Sequence, residues 1–201
     1  MRIFKITRFT AGAFAALALL TACTGKTGPG TTSGSASPVS TGEATDNGAP
    51  KVPAPLDADG ILADPCSALS AAQQDDIGMV KPGSAEQGPT GPECRWKSTA
   101  SPLNSAEVSP FTANKNGLSD IYAQKASSAY FEPLTIAGYP AVSTNVSDLR
   151  SDGDCPLWVG VSDQLVVVVT AQLGEGKNRA TPCVVAQRVA EAMIQHLKEA
   201  A

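Results

Sequence analysis

Leu157-Trp158-Val159-Gly160-Val161-Ser162-Asp163-Gln164-Leu165-Val166-Val167-Val168-Val169-Thr170-Ala171 reads as two strands joined by a polar turn at Ser162-Asp163-Gln164. Four consecutive β-branched residues, Val166 to Val169, predict a strand covered on both faces and therefore central in its sheet. Downstream, Thr181-Pro182-Cys183 opens a final helix, since proline is tolerated at a first helical position. Val185, Ala186, Val189, Ala190, Met193 and Leu197 form its apolar face, with Gln187, Arg188, Glu191, Gln195 and Lys198 opposite. Such a helix is expected to lie across the sheet.

Upstream, strands are expected at 130–136 and 141–146, hinged at Gly138-Tyr139-Pro140. Residues 93–99 alternate, with Cys94 and Trp96 on one face and Arg95 and Lys97 on the other, and a weaker strand signal follows at 107–112. Leu118, Ile121, Tyr122 and Lys125 make a short helical stripe after the turn signal Asn116-Gly117. Asp64-Pro65-Cys66 predicts a helix capped by aspartate that runs through Leu69 to Ile77 and stops at Gly78, followed by a loop holding Pro82, Gly83, Gly88, Pro89 and Gly91. The predicted class is α+β: one domain, a mainly antiparallel twisted sheet with an N-terminal and a C-terminal helix packed on it, stapled by two disulfides.

The other end of the chain speaks to location. Arg2, Lys5 and Arg8 precede an apolar run at 11–20, which has the form of a secretory signal and is too short to span a bilayer. Leu20-Thr21-Ala22-Cys23 resembles a bacterial lipobox. The resemblance implies cleavage after Ala22 and a lipidated Cys23, and two or more acyl chains make a stable anchor. Residues 24–55 are Gly, Ser, Thr, Pro and Ala with a few charges, and hold no Leu, Ile or aromatic residue. Such a segment predicts a flexible tether with a root-mean-square span on the order of 30 Å. The expected organisation is a signal peptide at 1–22, lipidated cysteine and tether at 23–60, and an extracytoplasmic domain at 61–201 on the outer face of the cell membrane.

The 201-residue chain carries 15 Lys+Arg and 19 Asp+Glu. Loss of residues 1–22 takes three basic groups and no acidic one, leaving 12 against 19 and a net charge of about −7. The basic residues are scattered, which disfavours nucleic acid and direct lipid-headgroup binding, since both need a concentrated positive footprint. Cys66, Cys94, Cys155 and Cys183 remain beside Cys23, an even number that reads as two disulfides in an exported chain. Cys66 and Cys183 begin helices, while Cys94 and Cys155 begin strands shortly before Trp96 and Trp158. That symmetry favours Cys66 with Cys94 and Cys155 with Cys183 over the two other pairings four cysteines permit. Each loop then contributes roughly 3.5 kcal/mol in the chain-entropy model. No pair has the short Cys-x-x-Cys spacing of a zinc site, so no metal and no cofactor is expected.

Taken together, Asp64-Pro65-Cys66, Cys94-Arg95-Trp96, Gly138-Tyr139-Pro140-Ala141, the valine-rich strand pair after Cys155, and Pro182-Cys183 resemble the actinobacterial exported lipoproteins grouped as domain-of-unknown-function family 3558. The similarity covers about 64–197, strengthens compartment and fold, and implies no activity or catalytic residue.

Chemistry-bearing patterns are sparse. The single imidazole, His196, lies near the end of the last helix, and no Gly-x-Ser-x-Gly elbow is present. Asp148, Asp152 and Asp154 around Gly153 match no EF-hand and read as a solvated loop, and Asp75-Asp76 diverge as neighbours on a helix. No glycine-rich phosphate cradle occurs. No enzyme activity is therefore expected. The favoured function is a membrane-anchored binding or interaction module for an envelope protein or small ligand, with Trp158, Tyr139 and Tyr130 as the candidate ligand face. The alternatives are an enzyme or enzyme accessory acting on envelope polymers, and a structural envelope component.

Overall fold

The structure, a computed structural model, describes residues 47–200. Cys23, the signal segment and most of the tether lie outside them.

Seven strands form one antiparallel sheet: β1 (Ser84–Gly88), β2 (Gly91–Lys97), β3 (Asn104–Phe111), β4 (Tyr130–Ile136), β5 (Tyr139–Asn145), β6 (Asp154–Gly160) and β7 (Val166–Leu173). Their order is β1-β2-β3-β7-β6-β5-β4, so two meanders meet where β3 pairs β7. The valine strand is the fourth of seven, as its composition demands. Val167 and Val169 face the principal core, Val166 faces a second cluster on the other side, and Val168 is 5% exposed. The β6–β7 turn needs no positive φ. Ser162 Oγ instead accepts hydrogen bonds from the backbone of Gln164 (3.2 Å) and Leu165 (3.0 Å).

Helix α4 (Pro182–Glu199) lies on β6 and β7. It buries Ala186, Val189, Ala190, Met193, Ile194 and Leu197 against Leu157, Val159, Val167 and Val169. Each of the larger side chains among them, the valines, leucines, Met193 and Ile194, contributes about 1.5–3 kcal/mol when taken from water. The opposite face carries the short helix α3 (Leu118–Tyr122), whose Leu118 and Ile121 meet Val142 and Val166. Edge-to-face pairs close that cluster, Phe111 with Trp158 at 5.2 Å and Tyr122 with Phe131 at 4.9 Å.

Both expected disulfides are present, Cys66–Cys94 and Cys155–Cys183. The first ties a 3-10 turn to β2, and the second ties α4 to β6. Three expectations need correction. The helix predicted from Asp64 to Ile77 is broken: a 3-10 turn (Pro65–Ala68), capped by Asp64 through Cys66 N–H at 2.9 Å, gives way to extended Leu69, and α2 (Ala71–Asp76) restarts on Ser70. Ser70 and Gln73 form a reciprocal capping box, a start signal inside what reads as one helix. The loop after Gly78 contains strand β1, whose small and polar residues at a sheet edge carry no apolar alternation. The chain from Asn47 to Ala58, placed in the tether by composition, is docked on the domain. Leu56 N–H bonds Val161 O (2.9 Å), Val52 N–H bonds Asp163 Oδ1 (3.1 Å), and Asn47 Nδ2 bonds Ser119 O (3.1 Å). This strap precedes α1 (Asp59–Ala63), whose Ile61 is buried. Val52 and Leu56 pack on the core, two apolar side chains being enough to seat a segment that is otherwise Pro and Ala.

Candidate functional site

Where α4 leaves the sheet end, a cleft forms. Beyond Leu173 the chain departs through Gly174 and Gly176 into a 3-10 turn (Lys177–Ala180) before entering α4. Val185 and Val189, one helical turn apart, face Leu173 and the Ile77–Met79 segment across a gap. That segment is clamped: Met79 N–H bonds Gln74 O (2.7 Å), Val80 N–H bonds Lys97 O (2.8 Å), and Thr99 N–H bonds Gly78 O (2.8 Å). The partly open space is about 140 Å³, lined by the apolar Ile77, Met79, Ala100, Leu173, Val185 and Val189 and by the polar Ser98, Asn104, Ser105, Asn178 and Arg188. Apolar cavities near 150 Å³ stay dry and admit a benzene-sized group. Convergent polar groups above an apolar floor are the usual anatomy of a small-ligand site.

On the face opposite α4, strand alternation gathers a belt of charge. Arg95 Nε donates to Glu86 Oε2 at 2.9 Å, Nη1 donates to Gln172 Oε1 at 3.1 Å, and Nη2 lies 3.4 Å from Glu93 Oε1. Glu107 Oε1 is ion-paired to Arg95 Nη1 at 2.5 Å. Burial pushes the Glu107 carboxyl up to about 7 against the pull of Arg95, with Glu93, Asp154 and Glu86 adding repulsion. Burial also raises Asp154. The belt holds a proton near neutrality, but it shares no residue with the cleft.

The three aromatic residues expected to form one ligand face do not. Tyr139 lies in the core on the α4 side, its hydroxyl donating to Ala54 O at 3.0 Å. Tyr130 shares that side on the edge strand β4, beneath the Arg150 guanidinium at 4.0 Å. A groove of about 590 Å³ near Arg150 includes Glu132, Asp148, Cys183 and Val184, and its arginine is already paired with both acids. Trp158 points to the other face, where its Nε1 donates to Thr144 O at 3.2 Å. The register explains the split: Trp158 pairs with Val142, an odd number of residues from Tyr139 on the same pleated strand, so the two side chains face opposite ways.

The remaining candidates are likewise dispersed. Asp148 is held at about 2 by hydrogen bonds from Arg150, Asp152 lies 3.8 Å from Arg179, and Asp154 begins β6. Among the described residues no group of three or more His, Cys, Asp or Glu is disposed to hold a metal ion. Asp75 pairs with Lys81 at 2.6 Å. The His196 side chain makes no hydrogen bond among the described residues, and only its carbonyl accepts, from Ala200 N–H at 3.2 Å. Sequence reasoning missed the cleft because its walls come from four separate stretches, and only the Val185/Val189 stripe was visible beforehand.

A family model described as "Protein of unknown function (DUF3558)" matches residues 18–196. No curated protein and no solved structure matches the chain. The family match spans nearly the whole sequence, and the chain belongs to the DUF3558 family of proteins of unknown function.

Proposed function

We propose that this chain is a lipid-anchored binding module of the extracytoplasmic envelope, which holds a small ligand in the cleft beside the first half of α4. The observation that carries the binding reading is the cleft itself, a mainly apolar lining interrupted by five polar residues. Two disulfides support an oxidising compartment, and Leu20-Thr21-Ala22-Cys23 behind a basic, apolar leader supports attachment through Cys23. Binding is favoured over catalysis because, among the described residues, Arg188 is the sole charged group at the cleft and a guanidinium does not serve as a general base near neutrality.

The test is recovery of bound small molecules from the anchored protein purified out of its own membranes, read by mass spectrometry. Val185 lies at the cleft and is only partly buried, so Val185→Trp fills the space without rebuilding the core. A species retained by the wild type and lost from Val185→Trp supports the proposal. Identical recovery from both, or none from either, sinks it. Cys23→Ala should in parallel move the protein from the membrane to the soluble fraction.

A further inference from the structure

Four arginines lie among the described residues, and three are spoken for. Arg95, Arg150 and Arg179 each face a carboxylate within 4.0 Å. Arg188 has none, and its one hydrogen bond runs from Nη2 to the carbonyl of Asp76 at 3.1 Å. The other donors of its planar fork have no acceptor among the described residues, and they border a cleft lined mainly by apolar side chains. Asp76 and Glu191 line an adjoining depression that Arg188 also borders, and among the described residues neither makes an ion pair with it. An exposed guanidinium free of carboxylates suits an oxyanion, a carboxylate or a phosphate, whose two oxygens it binds through two parallel N–H donors.

Resting on the binding reading above, we infer that the cleft takes a small amphiphile with an anionic head, a carboxylate or phosphate seated on Arg188, and a short aliphatic or aromatic part of about six carbons filling the space between Val185, Val189, Met79 and Leu173. Size and charge point the same way. The floor is too small for a long chain to be wholly enclosed, and the one formal charge at the rim is positive. A neutral ligand of the same length leaves Arg188 unused. A cationic one meets it with repulsion.

Hexanoate, 1-hexanol and hexylammonium, titrated at neutral pH into the disulfide-intact protein, separate these cases, with the Met79 methyl resonance reporting entry into the cleft. The expected result is hexanoate binding about tenfold or more tighter than the other two, the scale of one charge-assisted contact. Arg188→Gln should erase that preference, Arg188→Lys should keep part of it, and Val185→Trp should abolish binding of all three. If hexanol matches hexanoate, or the preference survives Arg188→Gln, the anionic class is wrong while the cleft stands. If no probe binds, or Val185→Trp leaves binding intact, the inference and the reading beneath it both fall.

Discussion

Glu107 sits on β3 with its carboxylate against the Arg95 guanidinium, whose Nη1 also donates to Gln172 Oε1. Burial outweighs the ion pair and moves Glu107 from an ordinary 4.5 to about 7. A carboxyl that binds its proton more tightly folded than unfolded favours the fold below about pH 4.5 and loses that contribution as pH rises through 7. Glu107→Gln removes the titration. The stability of this variant relative to wild type should therefore climb by up to about 3 kcal/mol between pH 4.5 and pH 8. Denaturant melts of both proteins at several pH values measure it, and a difference that does not change with pH refutes the assignment. Ala137 invites a second substitution. It occupies the β4–β5 hairpin turn with Gly138, both at positive φ, 47° and 91°. Two-residue turns of this hand favour glycine or asparagine at both central positions. Ala137→Gly should stabilise the protein by about 0.5–1 kcal/mol in the same melts.

At the scale of elements, the two disulfides do unlike jobs. Cys66–Cys94 holds a turn too short to be a stable helix by itself, Pro65–Ala68, against the inner face of β2. Cys155–Cys183 holds the first turn of α4, where Thr181 provides no side-chain cap. That bridge therefore does what a cap would do, keeping Val185 and Val189 over the cleft. Replacing Cys155 and Cys183 together by serine should cost about 2–5 kcal/mol. Amide exchange should show the loss first in the opening turns of α4, ahead of its Met193–Leu197 half, which the core holds independently. Uniform loss along the helix would show that the bridge acts on the unfolded chain alone.

For the whole molecule, the docked strap matters most. Val52 and Leu56 join the core, Lys51 pairs with Asp163 at 3.7 Å, and Tyr139 reaches Ala54. A chain beginning at Asp59 should be less stable than one beginning at Asn47 by about 2–5 kcal/mol, mostly the burial of two aliphatic side chains. Equal thermal midpoints would return these residues to the tether. The strap meets the sheet at the β6–β7 turn, whereas the cleft lies at the far end of β7, about 23 Å away at a strand's rise per residue. If the anchor is Cys23, the chain enters the domain at the end opposite the cleft.

The sequence by itself determined the α+β class, the central valine strand and the face of α4, and it favoured the cysteine pairing that the structure then fixed. These follow from periodicity, β-branching and local start signals, all of which act between near neighbours along the chain. The break at Leu69-Ser70 was legible too, in the Ser70 and Gln73 capping box, although the apolar pattern overrode it. Tertiary structure alone decided that Trp158 and Tyr139 face apart, that the strap is seated, and that Arg188 stands unpaired beside Ile77, Met79 and Leu173. Those outcomes depend on strand order and register, which join β3 to β7 across more than fifty intervening residues. Contacts at that separation depend on how whole elements pack, so no local pattern encodes them.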